Sequence, residues 1–440
     1  MVKVITYGSY DLLHYGHVRL LERAKAMGDY LIVGVTSDDY DKTRGKINVQ
    51  QSLMERVEAV RATGIADEII IEEHEGQKIE DIRKYDIDIF TIGSDWKGYF
   101  DYLNEYCQVV YLPRTEGISS SEIREKNMSV SLGLVGEASF LNKVWREAKM
   151  VNGIHIEALC TKRPEVMEEK AIKDIRIVTD EMDAFLKNID AVYIRSLPKL
   201  HYEHIKKALE AGKHVLCESP MTLNPNQSKE LMKLAKNKNL VLMEAIKTVY
   251  ATAYVRLLLL IKAGKIGDVI SVDSTCTSIR SGVGEGEWNS IYEWGPTALL
   301  PIFQILGTEY KDCQIATRFR EGGYDSFTRI NFTYADSCAS VKVGDGFKSE
   351  GALVISGSKG YIYVPAPWWK TDYFEVRCEN QTENKRYFYQ LDGEGIRYEL
   401  VTFTRAIENG RFVPDISRDI TIEISEIMER FESKVNLSEI

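Results

Sequence analysis

Short apolar runs alternate along this chain with stretches whose apolar residues recur every three or four positions. Residues 2–6, VKVIT, are β-branched and apolar apart from one lysine, and predict a buried parallel strand. From Val18, VRLLERAKAMGDYLIVGV shows helical spacing and then a second strand at Leu31–Val35. A further strand, Cys107–Leu112, stops at Pro113. A boundary is expected in EKNMSV, residues 125–130, because a fresh strand, glycine-bearing turn and helix follow in VSLGLVGEASFLNKVWREAK. Strands and helices then alternate at βαβ spacing through IHIEALCTKR, DAVYIRSLPKLHYEHIKKALEAGKHVLCESPMT and LVLMEAIKTVY. After about residue 268 the pattern changes. VISVDSTCTSI, SCASVKVGDGF, GALVISGSKGYIYV and YFEVRCEN read as strands with turn glycines, in an open, mostly antiparallel sheet with a covering helix. The expected class is α/β: a Rossmann-like domain over 1–127, a second, dinucleotide-binding Rossmann domain over 130–250, and an α+β open-sheet domain over 251–440.

Composition narrows the field. The 440 residues carry 56 Lys and Arg against 66 Asp and Glu, a formal charge of −10, which argues against nucleic acid as the main partner. Nucleotides need only a few local cations and stay open. Seven cysteines, an odd count without a C-x-x-C pair, predict a reduced, cytoplasmic protein. The longest aliphatic run, LLLLI at 257–261, is flanked by Arg256 and Lys262, so no membrane insertion is expected. No signal peptide is expected either, since the first strand starts at once.

The candidate chemistry begins at YGSYDLLHYGH, residues 7–17. This is the turn from the first strand into the first helix, where an open α/β sheet binds ligands and helix N–H groups favour anions. Gly8 permits a tight exit from the strand, and Gly16 lets a ligand approach the backbone. Asp11, His14 and His17 stand three apart, but no Cys lies nearby and no zinc motif is present, so direct metal ligation is not expected. The plain alternative is two histidines capping an exposed helix end. A second helix start, YLPRTEGISSSEIR at 111–124, offers Arg114, Ser119, Ser120, Ser121 and Arg124. Its serines either cap that helix or donate to a phosphate.

Taken together, G-x-Y-D-L-L-H-x-G-H and, about a hundred residues on, R-T-x-G-I-S-S-S resemble the cytidylyltransferase family, above all its members that act on glycerol 3-phosphate. The likeness runs through residues 1 to about 127. It implies that a substrate phosphate attacks the α-phosphate of CTP and pyrophosphate leaves, with Mg2+ travelling on the triphosphate. It implies catalytic roles for His14, His17, Lys46 and Arg114. It implies CTP contacts from Tyr7, Gly8, Ser9, Asp11, Gly16, Arg44, Asp95, Thr115, Ser119, Ser120 and Ser121, although the family commonly has Lys where Arg44 stands. Asp38 and Arg56 would meet the substrate, Arg56 being equally readable as a solvated helix charge. A homodimer is expected on the same ground.

Residues 130–440 resemble the glucose–fructose oxidoreductase and inositol dehydrogenase family, most specifically in P-x-x-H-Y-E-H-I-x-x-A-L-E-A-G-K-H-V-L-C-E-S-P, Pro198–Pro220. This implies a nicotinamide cofactor held by Gly133, Gly136, Ala138, Thr161, Lys162, Arg163, Pro198, Glu218 and Lys247. Lys162 and Arg163 stand where the family often has an acid for the ribose diol. They suit a 2′-phosphate and so NADP(H) over NAD(H), or else are plain loop cations. The departures are chemical. Ala138 fills a usual glycine place, Ser219 replaces the catalytic lysine, and Thr297 and Leu300 replace the acid–base pair. Lys247 is the nearby cation that could substitute, or it is a structural lysine.

Two readings follow. In one, the chain makes CDP-glycerol or a close CDP-alditol from CTP and an alditol phosphate, for teichoic-acid-like or capsular polymers, and the second module is silent. In the other, that module first reduces a keto sugar phosphate with NADPH.

Overall fold

The computed structural model describes residues 1–37, 49, 51, 53–74, 76–113, 129–279, 288–389, 391, 393–409 and 416–440. They form two compact units, Met1–Ser129 and Val130–Ile440.

The first unit is a five-stranded sheet of β1 (Lys3–Gly8), β2 (Tyr30–Thr36), β3 (Glu68–Glu72), β4 (Ile89–Gly93) and β5 (Gln108–Leu112). Their order is β3-β2-β1-β4-β5 and every pairing is parallel. Helices α1 (Tyr15–Lys25), α2 (Leu53–Ala62) and α3 (Gln77–Tyr85) connect the strands. The strands are continuous apolar runs because both faces are covered. Val4 and Val33 pack with Leu21 and Val57 on one face; Ile5 and Phe90 pack with Ile82 and Leu103 on the other. The chain leaves β1 for β2 on one side and later returns to place β4 on the other. That reversal opens a crevice at the carboxyl ends of β1 and β4.

The second unit holds two sheets. The first comprises β6 (Val130–Gly136), β7 (Ile154–Cys160), β8 (Ile177–Thr179), β9 (Ala191–Arg195), β10 (His214–Glu218) and β11 (Leu242–Ala245). It is parallel, in the order β11-β10-β9-β6-β7-β8, so its reversal falls between β6 and β9. Helices α4 (Leu141–Ala148), α5 (Glu169–Asp174), α6 (Met182–Leu186), α7 (Pro198–Glu210) and α8 (Pro225–Asn237) accompany it. Gly136 ends β6 at φ +144°, and a Cβ there would stand 2.2 Å from the Arg195 carbonyl oxygen. Only glycine lets the two strand ends lie so close at the reversal.

After α9 (Thr252–Lys262) comes a nine-stranded sheet, β12 (Val269–Ser278), β13 (Asp312–Phe319), β14 (Asp325–Thr333), β15 (Cys338–Asp345), β16 (Leu353–Gly357), β17 (Tyr361–Val364), β18 (Tyr373–Arg377), β19 (Lys385–Phe388) and β20 (Leu437–Glu439). The order is β19-β18-β17-β16-β12-β15-β14-β13-β20. It is mostly antiparallel, as its alternating strands predict, with parallel pairs at β12–β15 and β13–β20. Helix α10 (Ser290–Leu306) covers β12, β14 and β15, burying Leu299, Leu300, Ile302 and Phe303. Helices α11 (Ile396–Asn409) and α12 (Arg418–Glu432) follow, α11 packing on α4 and α12 on α8 and α10. The LLLLI run lies in α9, with Leu257 buried and Leu259 exposed. Among the described residues, no helix is long and apolar enough to cross a membrane.

Candidate functional site

In the first unit, β1 ends at Gly8 and α1 begins at Tyr15. His14 is the N-cap: its backbone is extended and its Nδ1 accepts from the Gly16 N–H at 3.1 Å. Its carbonyl accepts from the N–H groups of His17 and Val18 at 2.9 and 3.1 Å. Three residues apart on one helical turn, the His14 and His17 rings stack at 3.9 Å between centroids, 20° from parallel. An Nδ1 that accepts carries no proton, so Nε2 of His14 holds it and is the donor nitrogen. Tyr10 lies edge-on to His17 at 5.6 Å.

The loop between is tightly braced. Asp11 is buried, and its Oδ1 accepts from the Gln51 N–H at 2.9 Å. The Gln51 side chain returns the favour, its Oε1 accepting from the Leu12 N–H at 2.8 Å. Tyr10 and Leu12 sit at φ 52° and 47°, a left-handed conformation that costs a non-glycine residue roughly 1–3 kcal/mol and persists only where surroundings impose it. Arg56 supplies much of that constraint. Its NH1 donates to the Ser9 carbonyl at 2.7 Å and the Thr36 carbonyl at 2.9 Å, and its Nε to the Gln51 carbonyl at 3.1 Å. Arg56 is fully buried, which corrects the reading of it as a solvated helix charge, and these three bonds run to backbone carbonyls. The buried Tyr7 hydroxyl donates to Asp81 at 2.9 Å, and Lys78 stands 4.6 Å over its ring, so this side chain belongs to the core. Asp95 is exposed in a short turn directly after β4. Asp38, Arg44, Lys46, Arg114, Thr115, Ser119, Ser120 and Ser121 lie outside the described residues. Among the described residues, no group of three or more His, Cys, Asp or Glu is placed to hold a metal ion.

In the second unit, Gly133 packs under the Phe185 ring and Gly136 under Arg195, shaping the turn that leads through half-buried Ala138 into α4. After β7, the Thr161 hydroxyl accepts from the Arg163 N–H at 3.0 Å and is buried; Lys162 and Arg163 are exposed, Arg163 pairing with Glu165 at 3.1 Å. Pro198 starts α7 with its ring buried, a position that needs no N–H.

The ends of β9, β10 and β11 carry a dense polar cluster. The Tyr193 hydroxyl donates to Glu218 and approaches Glu399 at 3.3 Å. Arg195 pairs with Glu293 at 2.6 Å and lies 4.5 Å over the Trp288 ring. Lys247 stands 3.4 Å from Glu394, which also pairs with Lys143 at 3.1 Å and with Lys370. Arg397 grips Glu147 through two bonds, at 2.9 and 3.1 Å. Burial pushes the Glu218 carboxyl up against the pull of Arg195, and burial beside Glu218 raises Glu399 well above the usual range. Burial, with Lys370 nearby, lowers Lys247. Partial burial works to raise Glu394, but Lys370, Lys143 and Lys247 outweigh it and hold it at about 2. Ser219 donates to Glu244, and Leu300 is fully buried in α10.

Two family models match the chain: cytidylyltransferase-like over residues 5–126, and oxidoreductase family, NAD-binding Rossmann fold, over residues 130–246. A glycerol-3-phosphate cytidylyltransferase of Bacillus spizizenii is 51% identical over 130 residues, which span 30% of this chain and 100% of that protein.

The chain belongs to the cytidylyltransferase family.

Its second unit is similar to different proteins. D-xylose 1-dehydrogenase (NADP(+)) of Hypocrea jecorina is 43% identical over 82 residues, 19% of this chain and 21% of that enzyme. A 3-ketoreductase from Actinomadura kijaniata, solved with NADP and TDP-benzene, superposes with a TM-score of 0.64 at 16% identity, over 71% of this chain and 99% of that one. That likeness shows the fold alone.

In this cytidylyltransferase Gly8, Ser9, Asp11, His14, Gly16 and His17 all lie between the end of β1 and the first turn of α1. Gln51 went unnoticed in the sequence, as did Arg56 in its bracing role. Both lie some forty residues from the loop they hold, and no local pattern marks them. Tyr193, Arg195, Glu293, Glu394 and Glu399 escaped the sequence for the same reason. The tyrosine and Glu399 are 206 positions apart. A weak signal was available, since Glu394 and Glu399 frame an arginine in GEGIRYELV ahead of an apolar helical stretch.

Proposed function

We propose that the first unit joins CTP and glycerol 3-phosphate, or a close alditol phosphate, into the CDP-alditol and pyrophosphate. The stacked His14–His17 pair at the amino end of α1 carries this reading, supported by the relative's 51% identity over its whole length. A substrate phosphate oxygen attacks the α-phosphorus in line. The new P–O bond forms as the bond to the β-phosphate bridge breaks, and the electron pair leaves with pyrophosphate. The protein has little covalent work here; it positions two anions and stabilises charge. Nε2–H of His14 is a donor aimed from a helix start, where backbone N–H groups add to it. Mg2+ would travel on the triphosphate. Asp11 orients the loop through Gln51. Lys46, Arg114 and the serines at 119–121 remain proposed phosphate contacts, and Asp95 a proposed base contact. Teichoic-acid-like or capsular polymers are the proposed destination of the product, and a homodimer the proposed assembly.

A second reading rests on the cluster at the ends of β9–β11: the chain also reduces a keto sugar phosphate, so that one chain makes and then activates the alditol phosphate. The turn at Gly133–Ala138 lies at the sheet's strand reversal, where a dinucleotide would sit, and Gly136 lets the end of β6 pack against the Arg195 carbonyl. Exposed Lys162 and Arg163 suit a 2′-phosphate, which favours NADP(H). When bound, that group supplies a hydride. Mass spectrometry of products from the full-length chain with CTP and Mg2+ tests both readings. CDP-alditol formed from alditol phosphates, with keto phosphates inert even with NADPH, supports the first alone. CDP-alditol formed from a keto phosphate only with NADPH supports both.

A further inference from the structure

The family's catalytic lysine position holds Ser219 in this chain, and its hydroxyl is committed to the Glu244 carboxylate. The positions of the expected acid–base pair hold Thr297 and buried Leu300. Yet the strand ends are not chemically empty. Lys247 follows β11 by two residues, on a short helical turn, Lys247–Tyr250. Its side chain is 19% exposed, beside the 30% of its partner Glu394. The Phe140 ring, at the foot of the glycine turn, lies 5.8 Å from Lys247 Nζ and 5.6 Å from the Arg195 guanidinium. The same ring therefore borders the proposed dinucleotide turn and both cations. Tyr193 links Glu218 and Glu399, and Oε2 of Glu399, itself 1% exposed, is buried with no hydrogen-bond partner among the described residues.

We propose that Lys247 is the proton donor of a carbonyl-reducing site in the second unit, positioned by Glu394, with the Tyr193–Glu218–Glu399 group fixing the floor beneath it. This rests on the second reading above. The substrate class is a polyhydroxylated ketone carrying a phosphate, which Arg195, Lys143 and Lys370 would favour over a neutral one. An N–H bond of the ammonium breaks as the carbonyl oxygen gains its proton. A bound reduced nicotinamide dinucleotide would supply the hydride for the carbonyl carbon, and the amine regains a proton from water. The charged and titratable groups facing Lys247 are Glu394 before α11, Glu399 on α11, Lys370 before β18 and Glu218 on β10, and Lys143 on α4 faces the same Glu394. Desolvation and Lys370 favour the neutral amine, which makes the proton easier to give.

The test uses the full chain. Reductive methylation with 13C-formaldehyde labels the lysines, and the Lys247 signal is the one missing from K247R. It should titrate at lower pH than the other lysines; titration among them overturns the proposal. With NADPH held at saturation for each chain, as read by its fluorescence, reduction of keto phosphates by K247R and K247M should fall at least a hundredfold in kcat with the KM for the keto phosphate little changed. Normal reduction by K247M, with the parent also active, overturns the role of Lys247 and leaves the reductase reading standing. A parent chain that neither binds NADPH nor reduces any keto phosphate overturns the reductase reading, and the proposal with it.

Discussion

Replacing Arg56 by methionine separates bracing from substrate contact. Methionine fills similar apolar volume but donates nothing. The carbonyls of Ser9, Thr36 and Gln51 would each lose a donor, Thr36 in a fully buried position and Ser9 and Gln51 in half-buried ones. A buried polar group left unsatisfied costs about 1–3 kcal/mol. Three such losses, partly relieved by water and loop adjustment, give a loss of about 3–6 kcal/mol. The strained backbone at Tyr10 and Leu12 would relax at the same time, so the loop should open more readily than the strands. Hydrogen exchange of the full chain, read by mass spectrometry on peptides covering β1 and β2, measures this directly. At roughly 1.4 kcal/mol per factor of ten, exchange there should quicken at least a hundredfold. Peptides of the mixed sheet serve as the internal control and should be unchanged. An R56M chain whose β1 and β2 exchange within fivefold of the parent, yet which no longer turns over substrate, would refute the bracing argument. It would restore a direct role for Arg56 at the substrate.

Three further outcomes are expected. H17A should lose at least two orders of magnitude in cytidylyl turnover, about 2.7 kcal/mol of transition-state stabilisation, with exchange in α1 little changed; near-normal turnover would sink the nucleotidyl-transfer site. G136A should destabilise the parallel sheet of the second unit, because its Cβ would stand 2.2 Å from the Arg195 carbonyl at φ +144°; a chain with parental melting behaviour would show that the strand ends can part without cost. Glu394 has a folded pKa lowered to about 2 from an ordinary 4.5, so its pairing contributes fully above about 4.5 and is lost as pH falls towards 2. Exchange in α11 should therefore rise across that window and the rise should shrink in E394Q; equal pH dependence in both would show that the ion pairs with Lys143 and Lys370 do not hold the helix.

Local order was written plainly in the chain. The apolar runs of β1 and β2, the βαβ spacing after 130 and the alternating strands after 268 each follow from side-chain periodicity, which acts over a few residues. The strand-to-helix turn at 8–17 was equally legible, because a strand end, two glycines and an N-cap lie within one motif. Arg56 and Tyr7 were not. An arginine on a helix reads as a solvated charge, and a tyrosine at a strand end as a ligand contact, until the partners that bury their side chains, the carbonyls of residues 9, 36 and 51 and the Asp81 carboxylate, are brought up from elsewhere in the chain.

The second unit divides in the same way. Sequence alone determined that it has a dinucleotide-type fold and that the usual lysine and acid–base pair are missing, since both are statements about residue types at motif positions. Only the tertiary structure decided what stands there instead. Tyr193, Glu218, Lys247, Glu394 and Glu399 come from strands, a turn and a helix spread over some two hundred residues, and they meet because the sheet's strand ends and α11 share one buried face. Charges that would be unremarkable in water alter one another there, because burial removes the solvent that would have screened them.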